Sequence, residues 1–237
     1  RYIPDFAGDV SGDDTSPDLS HDTSQDTSET NLWEATAAEL FWRRTIFSSP
    51  TNGVYSSSNP GAARSSFYEK LLQCETREEA FAHQKTIAFL GSAVTVHGQL
   101  VTPLARVEQR INELERTDGA VAQEITAWKK SLDSITAWNW RNIAGSNRRS
   151  FHAYGVAIDL LMKPERGKET YWLWTREKGI DWRTVPEEDK LNPPRSVIRA
   201  FEEEGFIWGG KWPWYDTMHF EFHPELILLS LLPASPL

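Results

Sequence analysis

Ser150-Phe151-His152-Ala153-Tyr154-Gly155-Val156-Ala157-Ile158-Asp159 is the stretch on which the reading of this chain turns. Taken as a strand, it sends Val156, Ile158 and Leu160 to one side, as a core face requires, and Gly155, Ala157 and Asp159 to the other. The second face is small, small, carboxylate. Small side chains leave room above a sheet for an ion or a substrate. A carboxylate flanked by Ile158 and Leu160 needs a partner if it is buried. His152 lies seven positions before Asp159, on the opposite face of a straight strand, and Gly155 offers the bend or bulge that returns it.

About sixty residues on, Asp216-Thr217-Met218-His219-Phe220-Glu221 alternates cleanly. Met218, Phe220 and Phe222 share one face; His219, Glu221 and His223 share the other. His219 is thereby predicted to look onto the same sheet face as Asp159. Two histidines and one aspartate give a three-ligand zinc site with an open fourth position, the form of a catalytic rather than a structural zinc. Asp216, in the turn before His219, is placed to reach a water in that position. Each residue also has a plain alternative: a histidine among aromatics packs, and an aspartate caps a turn or pairs with an arginine.

The spacing Ser150-x-His152-x-x-Gly155-x-Ala157-x-Asp159, with Asp216-x-x-His219, resembles the zinc D-alanyl-D-alanine carboxypeptidases of the VanX/VanY type. That group includes L-alanyl-D-glutamate endopeptidases and shares its fold with the Hedgehog signalling domain. The resemblance covers about 140–222 and includes Trp208-Gly209-Gly210. It implies His152, Asp159 and His219 as ligands of one zinc ion and Asp216 as the catalytic acid/base, where many relatives carry Glu. It implies Arg141 as the substrate arginine. Ser150 and Arg148 are candidates for holding a substrate carboxylate, Ser150 being equally a turn former. Glu221 is a candidate for orienting a ligand histidine, and His223 for a surface position or a place behind the ligands. Tyr154, Trp212 and Trp214 are candidate groove walls, with Trp208 reading better as core.

The substrate implied is a peptidoglycan stem peptide ending in D-Ala-D-Ala. The rivals are an LD-carboxypeptidase or L-alanyl-D-glutamate endopeptidase on the same material, a non-catalytic zinc-containing binding module, and a metal-free structural protein. Asp216 and Arg141 favour an enzyme.

The rest of the chain is consistent with this. It has 237 residues, 39% hydrophobic and 25% charged, enough for one sizeable domain. A net charge of −9 without a basic stripe argues against nucleic acid as a partner. Eleven tryptophans point to a large aromatic core or a ligand groove. Cys74 stands alone, so neither an intramolecular disulfide nor a cysteine-rich zinc site is possible; it reads as a small buried residue. No apolar run reaches the roughly 18 residues of a membrane span. The chain begins at Arg1 rather than Met, which leaves room for a removed export signal and a periplasmic or other envelope location.

Residues 1–31 read as a flexible acidic tether, and 32–237 as a single zinc peptidase domain with a helical N-terminal part. Residues 34–44 read as a helix and 48–66 as a loop. A capping box at Thr76 and Glu79 predicts a helix running to about Leu90. A strand follows over Ala93–Leu100, then a helix after Pro103 with Leu104, Val107, Ile111 and Leu114 inward, and another over Asp118–Trp138. Pro193-Pro194 opens a helix ended by Gly205, Phe206–Trp208 and Met218–Phe222 are strands, and Leu226–Leu232 is an apolar helical tail. Helices first and short strands later, without βαβ alternation, predict an α+β fold: a small antiparallel sheet carrying the zinc site, flanked by helices.

Overall fold

A computed structural model of the chain describes residues 68–117, 119–143 and 147–223. The tether, the 34–44 helix, the 48–66 loop and the Leu226–Leu232 tail lie outside those residues. Within them the protein is α+β: helices surround two antiparallel sheets, one of two strands and one of four.

The two-stranded sheet is a hairpin that the sequence pattern had hidden. Thr76 does cap a helix, with both hydrogen bonds of the capping box to Glu79, but α1 spans only Arg77–Ala82. The chain then turns into β1, Gln84–Phe89, where a continuing helix was expected. β1 pairs with β2, Ser92–His97, through the two-residue turn Leu90-Gly91. Both turn residues have positive φ, 48° and 80°, as a tight hairpin turn with the right-handed twist requires. The pairing partner β2, absent from any local window, decides against the helix.

A short 3₁₀ turn leads into α2, Val101–Thr117, with Pro103 in its first turn. α3 spans Gly119–Ser131 and stops there; Leu132–Thr136 is strand β3 rather than more helix. Its i,i+3 spacing of Leu132 and Ile135 suits a helix, and the register shift between Leu132 and Ser134 accommodates it in the strand. Hydrogen-bonding to the strand of the first motif settles it.

The four-stranded sheet has the order β3-β4-β6-β5, with β4 Ala157–Met162, β5 Phe206–Trp208 and β6 His219–Phe222, all pairs antiparallel. Ile158, Leu160, Phe206, Trp208, Phe220 and Phe222 point to one face and are 0–8% exposed. On that face Phe201, from helix α6 (Arg195–Glu203), stacks on Phe220 with centroids 4.1 Å apart. Phe89, Leu104, Val107, Ile111 and Ile198 complete the core. Burying each such side chain stabilises the fold by about 1.5–3 kcal/mol before the entropy of ordering is counted. The other face, carrying Ala157, Asp159, His219 and Glu221, is where the polar residues gather.

Candidate metal centre and active site

The register of β4 on β6 sets the site. Asp159 stands directly opposite His219, and Ala157 opposite Glu221. The backbone hydrogen bonds Leu160 N to Met218 O and Phe222 N to Val156 O put 158/220 in a hydrogen-bonded pair and 159/219 in a non-hydrogen-bonded one. In that pairing facing side chains lie closest. Asp159 Oδ1 accordingly sits 2.8 Å from His219 Nδ1.

His152 arrives by another route. The first motif is not one bent strand: Phe151–Tyr154 forms a helical turn, α4, capped by Ser150, whose hydroxyl accepts from His152 N at 3.3 Å. Gly155 closes it in the left-handed region, φ 74°. A Cβ there would lie 2.7 Å from His97 N and would also meet the Gln84 side chain, so only glycine fits. The turn swings His152 over the sheet, where its Nδ1 lies 2.6 Å from Ala137 O, just beyond β3. His152 Nε2 is 3.2 Å from Asp159 Oδ1 and 3.2 Å from His219 Nδ1.

These three atoms form a triangle with edges of 2.8–3.2 Å. A tetrahedral cation bound at about 2.0–2.2 Å holds its donors roughly 3.3 Å apart, so the triangle fits a small ion such as zinc. Hydrogen bonding supports the same fit. The Ala137 carbonyl only accepts, so His152 Nδ1 carries the proton and Nε2 turns a lone pair inward. Glu221 Oε1, 3.1 Å from His219 Nε2, does the same for His219. Two lone pairs and a carboxylate oxygen that converge in this way repel one another unless a cation or a shared proton lies between them. Without an ion, a proton on His219 takes that place. Burial alone would raise Asp159, but His152 and His219 hold its carboxyl well below the usual carboxylate range. Burial alone would lower His219, but its bonds to Asp159 and Glu221 raise it well above an ordinary histidine. Among the described residues, His152, Asp159 and His219 are the one cluster of this kind.

Asp216 sits in the turn before β6, where its carbonyl accepts from His219 N at 3.3 Å. Its backbone N donates to Gly209 O, and a Cβ on Gly209 would come within 2.8 Å of Asp216 O. Its Oδ1 is buried with no hydrogen-bond partner among the described residues. Burial, with Asp159 and Glu221 adding to it, pushes the carboxyl up to about 7, against the opposing pull of His219. A dication held by the adjacent triangle pulls the same way as His219.

The remaining expected residues fall differently. Arg141 is half-buried, and its guanidinium makes a long bond, 3.4 Å, to Asn142 O. Arg148 is exposed in the same loop. Trp214 is exposed and Trp212 lies against the His219 ring at 5.4 Å. Tyr154 is not a groove wall: it is 1% exposed, in the core, with its hydroxyl donating to Glu69. Being on the turn that carries His152, it anchors that turn from behind. Trp208 is core, its indole N–H donating to Thr217 O at 2.9 Å.

One residue near the site had no signal of its own. Tyr171 precedes the short helix α5, Trp172–Glu177, and bridges to Asp216 in an antiparallel contact. Burial pushes its phenol up to about 12; Asp216 and Asp159 add to this and Arg141 opposes it. Those three charges therefore all act on one phenol. An isolated aromatic before a helix carries no such message in sequence.

The model of one protein family, described as D-alanyl-D-alanine carboxypeptidase, matches residues 144–222. The resemblance read from the motifs therefore holds over that segment, which contains His152, Asp159, Asp216 and His219. This family consists of peptidases acting on peptidoglycan, and it is zinc-dependent in general. No solved structure matches the chain.

Proposed function

We propose that this chain, with the D-alanyl-D-alanine carboxypeptidase family as premise, is a zinc-dependent carboxypeptidase that removes a terminal D-amino acid from peptidoglycan stem peptides. The observation that carries the reading is the His152–Asp159–His219 triangle with the buried Asp216 carboxylate beside it, whose Oδ1 has no hydrogen-bond partner among the described residues. His152 Nε2, Asp159 Oδ1 and His219 Nδ1 hold the ion. Zinc bound there supplies a water acidified toward neutral pH and an electrophile for the scissile carbonyl.

The chain's own groups do the rest. Asp216 takes a proton from the water as its oxygen bonds to the carbonyl carbon. The C–N bond breaks as Asp216 returns that proton to the leaving nitrogen, giving a shortened peptide acid and a free D-amino acid. The Arg141 guanidinium stabilises the charge developing on the carbonyl oxygen. Arg148, exposed in the loop before the first motif, and Trp214, exposed in the segment before β6, contact the remainder of the peptide. Ser150 serves by capping the turn that presents His152. Residues 1–31 act as a tether and residues 32–237 as one catalytic domain, exported to the cell envelope, where the substrate is found. No helix among the described residues is long and apolar enough to cross a membrane.

Digestion of defined muropeptides followed by mass spectrometry tests the assignment. Release of D-alanine from pentapeptide stems ending in D-Ala-D-Ala is the expected product. Release only from tetrapeptides, or internal cleavage after L-alanine, replaces it with the LD-carboxypeptidase or endopeptidase reading. Zinc binding without any cleavage leaves the binding-module reading.

A further inference from the structure

Behind His219 a line of buried polar groups continues to a residue far upstream. His219 Nε2 meets Glu221 Oε1 at 3.1 Å; Glu221 Oε2 meets His223 Nε2 at 3.0 Å; His223 Nδ1 meets the Tyr68 hydroxyl at 3.0 Å. Tyr68 and His223 are 6% and 1% exposed. We infer that Tyr68 and His223 are positioning residues: through Glu221 they hold His219 in the tautomer and orientation in which its Nδ1 is free to bind the metal. The inference rests on the metal reading above and extends it to two residues outside the 144–222 segment.

The polarity of the line follows from its ends. If His219 Nδ1 gives its lone pair to a metal, its Nε2 carries the proton and donates to Glu221. Glu221, ionised, only accepts, so it takes a second proton donor from His223 Nε2. His223 Nδ1 is then a buried lone pair, and the Tyr68 O–H satisfies it. Each donor finds an acceptor, and no group in the line is left over. Phenylalanine at 68 would remove the hydroxyl donor that meets His223 Nδ1. The other tautomer of His223 would turn a lone pair against the Glu221 carboxylate. Either change loosens the Glu221 oxygen that holds His219.

Packing fixes the rings as well as the protons. Phe151 lies 4.8 Å from His223, and Tyr68 meets Phe151 edge-on at 4.8 Å. His223 N donates to Gly205 O at 2.7 Å, pinning the end of β6. Phe151 precedes His152, so one aromatic cluster braces the segments that carry both histidines of the triangle.

Metal affinity of the purified full chain tests this, measured by competition of Zn2+ against a chromophoric chelator and by the visible spectrum of the Co2+-loaded protein. The unfolding midpoint of each metal-free variant is recorded alongside. Tyr68→Phe is expected to weaken Zn2+ binding about 10-fold and His223→Ala about 10- to 100-fold, the range for groups behind metal ligands. His223→Gln, whose amide N–H can donate to Glu221, should restore most of the affinity and the Co2+ spectrum. Adding Tyr68→Phe to His223→Ala should change affinity little, because Tyr68 acts through His223. Wild-type affinity and spectrum in Tyr68→Phe would overturn the inference, as would a lowered unfolding midpoint with metal binding unchanged. So would a Tyr68 effect that persists undiminished in the His223→Ala background. If His223→Ala does not fold, Tyr68→Phe and His223→Gln decide alone. Failure of the wild-type chain to bind either ion would overturn the metal reading itself and this inference with it.

Discussion

The two faces of the four-stranded sheet are built from alternate residues of the same strands, yet they do opposite work. Ile158, Leu160 and Phe220 face helix-borne Phe201 and the core; Asp159, His219 and Glu221, their neighbours in sequence, share the other face, with Asp159 opposite His219 across the register. The apolar face supplies stability through buried area, which is tolerant of chemistry but sensitive to volume. The polar face supplies little stability and depends on the identity and position of single atoms. A register slip of one residue would exchange the two faces, so the core that holds β4 against β6 also aligns Asp159 with His219.

Substitutions on the two faces should therefore separate activity from stability. Asp216→Asn is expected to retain metal and fold but lose turnover by about 10²–10⁴-fold, measured as D-amino acid release with metal content checked in parallel. Near-normal rates would remove Asp216 from the proton transfers. Phe220→Ala, one position from His219 but on the other face, is expected to cost about 3–5 kcal/mol of stability by urea unfolding. The surviving folded fraction should bind metal normally. If metal binding fails while the fold holds, the faces are not independent.

Much of this division is legible in the sequence. Alternation in 156–160 and 218–222 sorts the residues correctly because both strands have one buried face, where period-two patterning is strongest. His152 is legible as a partner but not in its geometry. A strand with a bend and a capped helical turn place it alike, and the positive φ of Gly155 serves both. β1 and β3 are not legible. A capping box and apolar spacing predict helix locally, and the pairings that make them strands lie in β2 and β4. Tyr171 and Tyr68 are the least visible. The Tyr68 hydroxyl meets a partner 155 positions away, which no local pattern encodes.

Two smaller effects sharpen the contrast. Glu221→Gln keeps the size of the side chain but can no longer accept from both histidines, so metal affinity should fall about 10- to 100-fold. Unfolding of the metal-free protein should change far less. Away from the sheet, Lys129 pairs with Glu115 at 2.6 Å on the α2/α3 surface, the two side chains 26% and 29% exposed. Bonds from Lys129 and Thr126 hold the Glu115 carboxyl below its ordinary value. Its folded value is depressed, so the stability it contributes is present above the unfolded value and is lost as pH falls through the folded one. Lys129→Met should cost less than about 1 kcal/mol at neutral pH. That difference should fade in acid, by unfolding curves at several pH values, and leave metal affinity untouched.

The most direct measurement is the metal content of the purified chain, by elemental analysis after equilibration with a slight excess of zinc and removal of unbound ion. One zinc per chain is predicted, with none retained by His219→Ala that is shown to be folded. A folded wild-type chain that holds no metal, or one whose zinc survives loss of His152, Asp159 and His219 together, would contradict the account.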